Sequence, residues 1–195
     1  MNIRYWNTYY KKFNLNKPSN FARFCFKYFS KKDISIDVGC GNGRDTNFFI
    51  TKGLNFQGLD TSITAIKINK KKIGNYFLKK NLCSKSFKSS SLEKKKLNNV
   101  YARFFLHTIT KKNQNIFFEN LKKILRKNGK VFLEFRTIKD PMAKLGKKIS
   151  FNETITSHYR RFIVVKDLER ELKLLNFKII YKKQSFNFAK LNKQK

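Results

Sequence analysis

The sequence predicts an α/β fold in which helices cover both faces of a mostly parallel sheet. The first observation is a short apolar run, 34–38, followed by glycines at every second position, Gly39, Gly41 and Gly43. Short apolar runs of this kind are typical of strands that are buried on both faces. The second observation is that later apolar runs alternate with segments of helical spacing, which is the order expected of βαβ units.

The three glycines join the first predicted strand to a predicted helix over 46–52, which Gly53 is placed to end. Glycine tolerates positive φ and has no Cβ, so a ligand can approach the backbone closely there. A strand, a glycine turn and a helix N-terminus together predict a cofactor site. Two common phosphate-binding motifs do not fit, because Arg44 stands where G-x-G-x-x-G needs its last glycine and no Gly-Lys-Ser/Thr follows.

Two acids flank this turn. Asp37 begins the pattern D-x-G-x-G-x-G, and a second apolar run, 56–59, ends in Asp60. Asp60 lies near the position where a βαβ unit places a ribose-binding carboxylate. The whole pattern resembles the class I S-adenosylmethionine-dependent methyltransferases. The alternative is a glycine turn in an unrelated α/β protein, which explains fewer of these residues.

The resemblance implies a three-layer αβα sandwich with a doubly wound, Rossmann-like sheet and S-adenosylmethionine as the cofactor. It implies that the first acid and the glycines hold the methionine end, and that Asp60 takes the ribose hydroxyls. Asn81 stands where the family often has an acid that meets the adenine amino group, and Arg103 can face the cofactor carboxylate or an anionic substrate. The full set of expected cofactor residues is Asp37, Gly39, Cys40, Gly41, Asn42, Gly43, Asp60, Thr61, Asn81, Leu82 and Arg103.

Four further segments resemble a subgroup of small bacterial members similar to the tellurite-resistance methyltransferases. They are Pro-Ser-x-Phe-Ala at 18–22, Arg-Phe-x-Leu-His at 103–107, Glu-x-Arg-Thr with a following acid at 134–140, and His-Tyr-Arg-Arg-Phe at 158–162. In that family the exit of the fourth strand lies beside the transferable methyl group. The resemblance therefore implies that the acceptor also binds at this end of the sheet.

The chain has two histidines, His107 and His158, and both are candidates for a catalytic base. For His107 a capping or core role is the favoured alternative. Arginine forks pair with carboxylate or phosphate, so arginines at the predicted strand exits indicate a small anionic acceptor. The expected acceptor residues are Arg136, Tyr159, Arg160 and Arg161. For Arg160 and Arg161 the alternative is surface solvation or a structural pair with an acid.

We expect one domain, preceded by an N-terminal helical lid over 1–30, with the methyltransferase domain over 31–195. Trp6, Tyr9 and Tyr10 lie close together in the lid, and Ser19 can cap a helix there. Further along we expect helices over 63–73, over 113–126 closed by Asn128-Gly129, and after a capping Asp167. We expect strands over 76–78, 100–107, 130–135 and 177–181. The remaining segments are a predicted loop over 83–99 and a long connection over 138–163.

The family usually ends its sheet with an antiparallel strand, and little of this chain is left to supply it. Only 184–195 follow the strand predicted at 177–181, and their end is polar and basic. The segment 186–191 is the one candidate for that role. Together with Asn81, this raises the alternative of a cofactor-binding protein that has lost catalysis.

The formal net charge of +33 allows two explanations. It can indicate a polyanionic partner and hence an RNA methyltransferase. It can also reflect an AT-rich genome, since the lysines are scattered and Asn, Ile and Phe are abundant, and we favour this explanation. The Pro-Pro motif of base-amino methyltransferases is absent, because the chain has two prolines, Pro18 and Pro141.

Three cysteines without metal-ligand spacing predict no metal site and a reducing cytoplasmic compartment. Neither a signal-peptide core nor an apolar run of about 20 residues is present, so we expect no membrane association. The oligomeric state is left open by the sequence.

Overall fold

A five-stranded parallel sheet forms the centre of the computed structural model, which describes residues 3–13, 15–87, 96–186 and 188. Its strands are β1 (Ser35–Val38), β2 (Phe56–Asp60), β3 (Phe77–Lys79), β4 (Leu97–Arg103) and β5 (Leu125–Glu134). They lie in the order β3-β2-β1-β4-β5, and every neighbouring pair is parallel. The order reverses between β1 and β4, where parallel sheets open a crevice at the carboxyl ends of the strands. The predicted doubly wound α/β fold is confirmed.

Helices cover both faces of this sheet. They are α1 (Ile3–Lys12), α2 (Asn20–Phe26), α3 (Arg44–Thr51), α4 (Ile63–Ile73), α5 (Lys111–Ile124) and α6 (Val165–Leu174). Neighbouring strand residues point to opposite faces. Accordingly Tyr101 packs in the cluster that contains residues of α2 and α3, whereas Val100 packs in the cluster that contains residues of α5 and α6.

The helix starts follow local chemistry that the sequence predicts. The side chain of Ser19 accepts a hydrogen bond from the backbone N–H of Ala22, and Ser62 accepts one from Ala65. Gly53 ends α3 in the left-handed conformation, with φ of 77°. These caps satisfy backbone groups that a helix end would otherwise leave unpaired.

The long connection between β5 and α6 forms a second, antiparallel sheet. Its strands are β6 (Lys147–Ser150), β7 (Glu153–Ile155) and β8 (Tyr159–Arg161). After β8 the chain returns to the end of β5, where Thr137 and Ile163 form a parallel bridge. The small sheet is thereby held next to the carboxyl end of β5.

Several predicted boundaries are wrong. α5 ends at Ile124 and β5 begins at Leu125, so Asn128-Gly129 does not close the helix. Asn128 instead takes a positive φ of 63° inside the strand, where the pairing of β4 with β5 shifts register. Asp167 is not the cap of α6, because that helix begins after Val164. Asp167 lies in the first turn, where a negative charge still interacts favourably with the helix dipole.

The predicted strand over 177–181 is absent, although residues 177–181 are all described. Side-chain contacts hold this segment instead of a hydrogen-bonded ladder, with the rings of Tyr181 and Phe24 5.4 Å apart. Ile180 is largely exposed, so the apolar pattern here does not correspond to a buried strand. Residues 187 and 189–191 of the candidate last strand lie outside the described residues, as do 88–95 of the predicted loop, whereas 97–99 belong to β4.

A buried carboxylate joins three distant parts of the chain. Asp45, at the start of α3, accepts hydrogen bonds from the backbone N–H of Ser19 (2.7 Å), the Ser19 hydroxyl (2.7 Å) and the Tyr101 hydroxyl (2.8 Å). Ser19 precedes α2, and Tyr101 lies in the middle of β4. The carboxylate therefore fixes α2 and α3 against the sheet.

We expect Tyr101→Phe to lower the free energy of unfolding by about 1.5–3 kcal/mol, because it removes a hydrogen bond to a buried charged group. Urea unfolding measures this loss. The matched control is Tyr76→Phe, since Tyr76 is exposed and its hydroxyl should contribute little. Equal stabilities of the two variants would show that the Tyr101 hydroxyl does not support the fold.

Candidate functional site

The turn between β1 and α3 has the geometry that its glycines predict. Gly39, Gly41 and Gly43 have φ of 73°, 53° and 73°, which side chains rarely adopt. The backbone N–H groups of Gly39 and Cys40 donate to the Leu59 carbonyl oxygen at 2.8 and 3.1 Å. The turn is therefore tied to β2 as well as to β1.

Side chains of the protein itself fill the space beside each glycine. A Cβ atom on Gly39 would lie 2.9 Å from the Phe105 ring, and one on Gly41 would lie 2.7 Å from the Tyr10 hydroxyl. A Cβ atom on Gly43 would lie 2.9 Å from the amide carbon of Asn69. Glycine is thus required here both for φ and for close packing.

Asp60 binds the turn from the end of β2. Its Oδ2 accepts from the Gly41 N–H at 2.9 Å, and its Oδ1 accepts from the Ser62 N–H at 2.8 Å. Burial raises the pKa of this carboxyl, and the backbone N–H groups act in the opposite direction. Each carboxylate oxygen can accept a further hydrogen bond from a ligand hydroxyl.

A cleft opens beside the turn at the carboxyl ends of β1, β2 and β4. It brings together five of the expected cofactor residues: Gly39, Asp60, Thr61, Asn81 and Leu82. Eight further residues complete its wall: Trp6, Tyr10, Val38, Leu59, Lys80, Phe104, Phe105 and Thr108. Trp6 and Tyr10 come from α1, within the segment expected to form a lid.

Asp37 lies below the turn and does not line the cleft. The Thr46 hydroxyl donates to its Oδ2 at 2.7 Å. Burial raises the pKa of Asp37 to about 8, the Thr46 hydrogen bond acts against this rise, and the nearby Asp45 and Asp60 add to it. The neutral carboxyl is therefore the favoured form of Asp37 near neutral pH.

Two further expected cofactor residues support the turn from outside the cleft. Cys40 is buried and packs with Ile66 and Phe77, and burial raises the pKa of its thiol. The side-chain amide of Asn42 donates to the Leu15 carbonyl oxygen at 3.1 Å. Asn81 lines the cleft, and its Oδ1 accepts from the Cys83 N–H at 2.9 Å.

Two ion pairs flank the cleft at the ends of β4 and β5. Arg103 Nε lies 2.6 Å from Glu134 Oε2, although its N–H is not aligned for a hydrogen bond. Arg136 Nη1 lies 2.6 Å from Asp140 Oδ2 and does make the hydrogen bond. Each guanidinium is therefore partly neutralised by its own carboxylate.

Phe104 stands between this charged region and the cleft. Its φ of 55° is strained for an aromatic residue, which costs of order 1–3 kcal/mol. The guanidinium carbons of Arg103 and Arg136 lie 4.0 and 5.0 Å from the centre of its ring. Such contacts of a cation with an aromatic face are attractive and hold both arginines at the ring.

His107 is buried under the same ring. Its Nδ1 accepts from the backbone N–H of Arg136 at 3.3 Å, so the proton of the neutral ring lies on Nε2. Burial, and then the positive charges of Arg136 and Arg160, lower the pKa of His107 well below its ordinary value. This geometry suits a residue that positions Arg136.

His158 lies in the turn between β7 and β8 and packs against α1. Its ring centre is 4.7 Å from that of Tyr5 and 4.8 Å from that of Trp6. The Ser157 hydroxyl lies 3.1 Å from His158 Nδ1 and 3.1 Å from the Tyr5 hydroxyl. Burial and the charge of Arg160 lower the pKa of His158 to about 4. The imidazole is neutral at pH 7.

The three remaining expected acceptor residues, Tyr159, Arg160 and Arg161, are consecutive in β8, and their side chains make different contacts. Arg161 is 5% exposed, and its guanidinium donates to the Ile109 carbonyl oxygen at 3.1 Å and to the Gln114 side chain. It therefore braces β8 against the α5 region. The Tyr159 hydroxyl donates to Glu153 at 2.6 Å. Arg160 points away from that interior, and its guanidinium donates to the Thr156 hydroxyl.

The sequence reasoning missed Asn69 and Phe104. The Asn69 amide donates to the Gly41 carbonyl oxygen at 2.8 Å, and its own Oδ1 is buried without a hydrogen-bond partner. Asn69 follows Ile66 by three residues on the inner face of α4, so a polar residue on an apolar stripe was the available signal. Phe104 lies in the Arg-Phe-x-Leu-His segment, but nothing in that segment indicates its positive φ, which comes from tertiary structure.

The histidines, cysteines and acids of the described part of the chain form no group that could hold a metal ion. The helices of this described part include none that is long and apolar enough to span a membrane.

We expect ionisation of Asp37 to weaken the fold as the pH rises. Its pKa is about 8 in the folded protein and roughly 3.9 in an unfolded chain. Between these values the folded chain holds a proton that the unfolded chain has lost. The raised pKa therefore stabilises the folded state fully below about pH 4, and this stabilisation is lost as the pH rises to about 8.

Asp37→Asn cannot ionise. From pH 5 to 8 its free energy of unfolding should therefore rise relative to that of the wild type, by at most about 1.4 kcal/mol per pH unit. Urea unfolding of both proteins measures the difference, with the exposed Asp167→Asn as control. A difference that stays constant with pH would contradict the assignment.

Comparison with known structures shows the same fold in methyltransferases. A S-adenosylmethionine-dependent methyltransferase from Anabaena variabilis is 21% identical, with a TM-score of 0.57 over 67% of this chain, which spans 58% of that protein's length. The glycopeptide N-methyltransferase MtfA in complex with S-adenosylmethionine is 13% identical, with a TM-score of 0.64 over 86% of this chain and 87% of that one. A TehB-like S-adenosylmethionine-dependent methyltransferase from Corynebacterium glutamicum is 15% identical, with a TM-score of 0.52. The match covers 59% of this chain and 61% of that one.

No curated protein matches this sequence significantly. The family model described as a methyltransferase domain does match, over residues 10–182. This range runs from the end of α1 past α6 and includes the glycine turn, the small antiparallel sheet and every residue of the cleft except Trp6. The chain therefore belongs to the methyltransferase domain family.

Proposed function

We propose that the chain transfers the methyl group of S-adenosylmethionine to a small acceptor that carries negative charge. The observation behind this proposal is the position of the cleft. One side of it has Gly39, Asp60 and Asn81, and the other is Phe104, behind which lie the guanidiniums of Arg103 and Arg136. A donor site and a basic acceptor site would thus share one aromatic wall.

The residues of the cleft fit the proposed donor. The free lone pairs of the Asp60 carboxylate suit ribose hydroxyls, and the apolar Leu59 and Leu82 suit the faces of an adenine ring. Structures of MtfA contain S-adenosylmethionine, sinefungin or S-adenosylhomocysteine, which supports the same ligand here.

When bound, S-adenosylmethionine supplies a methyl group that the acceptor's lone pair can bind as the carbon–sulfur bond breaks and its electron pair stays on sulfur. Since the donor is already activated, the main task of the protein is to align the two reactants and exclude water. We infer that α1 is the lid, because Trp6 and Tyr10 cover the cleft. α2 belongs to the core, because Asp45 binds the residue that caps it.

A base is needed only if the acceptor atom carries a proton at neutral pH. His107 is the weaker candidate, since its Nδ1 already accepts from the backbone of Arg136. His158 is neutral and contacts Trp6, a residue of the cleft. We therefore assign the base role to His158 and a positioning role to His107.

A small acceptor suits this geometry better than RNA. The side chains of Arg103 and Arg136 are 17% and 13% exposed, so a phosphate backbone would have little access to them. The proposed function is tested by incubating the protein with methyl-labelled donor and either a pool of small organic acids or total RNA. Label in the acid pool supports the proposal, label confined to RNA supports the alternative, and donor binding without transfer supports a protein that has lost catalysis.

Asp60→Asn should weaken binding of S-adenosylmethionine at least tenfold, or about 1.4 kcal/mol, because an amide nitrogen replaces one acceptor oxygen. Isothermal titration calorimetry measures the affinity, and Asp33→Asn, outside the cleft, is the matched control. Unchanged affinity in a folded Asp60→Asn protein would remove Asp60 from the donor site.

Asn81→Asp should tighten binding of S-adenosylmethionine. Asn81 uses its oxygen for the Cys83 N–H, whereas a carboxylate would keep that bond and offer a second oxygen to the adenine amino group. We expect a gain of about tenfold, or ~1.4 kcal/mol. The inosine analogue of the donor has no amino group, so it should bind the Asn81→Asp protein more weakly than it binds the wild type. If both ligands respond alike, Asn81 does not contact the base edge.

A further inference from the structure

The four arginines around the acceptor side differ in how their charge is matched. Arg103 and Arg136 each have a carboxylate 2.6 Å away. Arg161 is buried, and its guanidinium binds backbone and amide oxygens. Arg160 differs from all three, because the hydrogen-bond acceptor that the described residues provide for it is the neutral Thr156 hydroxyl.

Arg160 is also close enough to this region to act on the same ligand. It follows His158 by two residues, and the His158 ring packs against Trp6, which lines the donor cleft. Arg136 contacts Phe104, which also lines the donor cleft. The chain just after β8 also reaches Arg136, because the Ile163 N–H donates to the Arg136 carbonyl oxygen at 3.0 Å, so β8 is held beside the end of β5.

Among the described residues, the guanidiniums of Arg103, Arg136 and Arg160 are not all matched by a carboxylate. Arg103 and Arg136 pair with Glu134 and Asp140, whereas the acceptor of Arg160 is the neutral Thr156 hydroxyl. His107 and His158 add no charge, because burial keeps both rings neutral. A ligand with one negative charge would supply the partner that Arg160 lacks, whereas a second charge would find Arg103 and Arg136 already paired.

We propose that Arg160 binds the anionic group of the acceptor and that the site selects a single negative charge, as on a carboxylate, over the double charge of a phosphate monoester. This rests on the proposed function and makes it more specific, since it names the acceptor's charge and its contact residue. Trp6 and Phe104 both line the cleft, and Tyr5 packs against Trp6 with their ring centres 5.0 Å apart, so a planar organic acid is the acceptor class that fits best.

The test uses benzoate as the probe and Trp6 as the reporter. Trp6 is the single tryptophan of the chain, and it contacts both the cleft and His158. Its fluorescence is titrated with benzoate, benzamide and phenyl phosphate at saturating S-adenosylhomocysteine. The carboxylate of S-adenosylhomocysteine is then the same in every sample and does not affect the comparison of the three probes. We expect benzoate to bind at least tenfold more tightly than benzamide, and more tightly than phenyl phosphate.

The Arg160→Gln protein should bind benzoate and benzamide within threefold of each other, while its affinity for S-adenosylhomocysteine is unchanged. Arg160→Lys keeps the charge without the planar fork and should retain part of the preference. Lys147→Gln removes one charge from an exposed position of the same small sheet and should leave the preference intact. It controls for the high net charge of the chain.

Equal binding of benzoate and benzamide by the wild type would overturn this inference, as would a preference that survives in Arg160→Gln. Tighter binding of phenyl phosphate than of benzoate would overturn the single-charge selection. If S-adenosylhomocysteine itself does not bind the folded wild type, the proposed function fails. If it binds and benzoate shows no preference, only the assignment of Arg160 fails.

Discussion

Three buried carboxyl groups hold the turn on which the site depends. Asp60 accepts from the Gly41 N–H, Asp37 accepts from the Thr46 hydroxyl, and Asp45 accepts from Ser19 and Tyr101. These hydrogen bonds come from neutral donors, in a chain with 45 lysines and arginines. A buried carboxyl is stable only when its hydrogen bonds are made, so the left-handed turn, α2 and β4 must all be in place together.

Local chemistry explains which parts of this arrangement the sequence could predict. The apolar run of β1, the alternate glycines and the capping residues Ser19 and Ser62 act on near neighbours, and their structure follows from the residues themselves. Tyr10 and Phe105 fill the space beside the glycines from distant segments, and no local pattern indicates that packing. The run at 177–181 shows the converse, because its apolar pattern alone does not make it pair with β5, the edge strand of the sheet.

The strand period also separates two residues that the sequence presents as a pair. Arg160 and Arg161 are consecutive in β8, so their side chains leave opposite faces. Arg161 is buried against the carbonyl oxygens of Leu106 and Ile109, and this braces the small sheet against the parallel one. That brace holds Arg160 next to the ends of β4 and β5. One arginine thus gives the other its position, and the second is the one that we propose to bind the acceptor.

The hydrogen bonds of Asp45 also set an order for folding. They join residues 26 positions apart, to Ser19, and 56 positions apart, to Tyr101, and the Ser19 and Tyr101 hydroxyls lie 82 positions apart in the chain. Closing loops of this length must precede any gain from the contact. The carboxylate can lose its water only after β4 has docked beside β1 and the segment before α2 has returned. The donor cleft is therefore completed late in folding, even though its glycine turn lies in the first quarter of the chain.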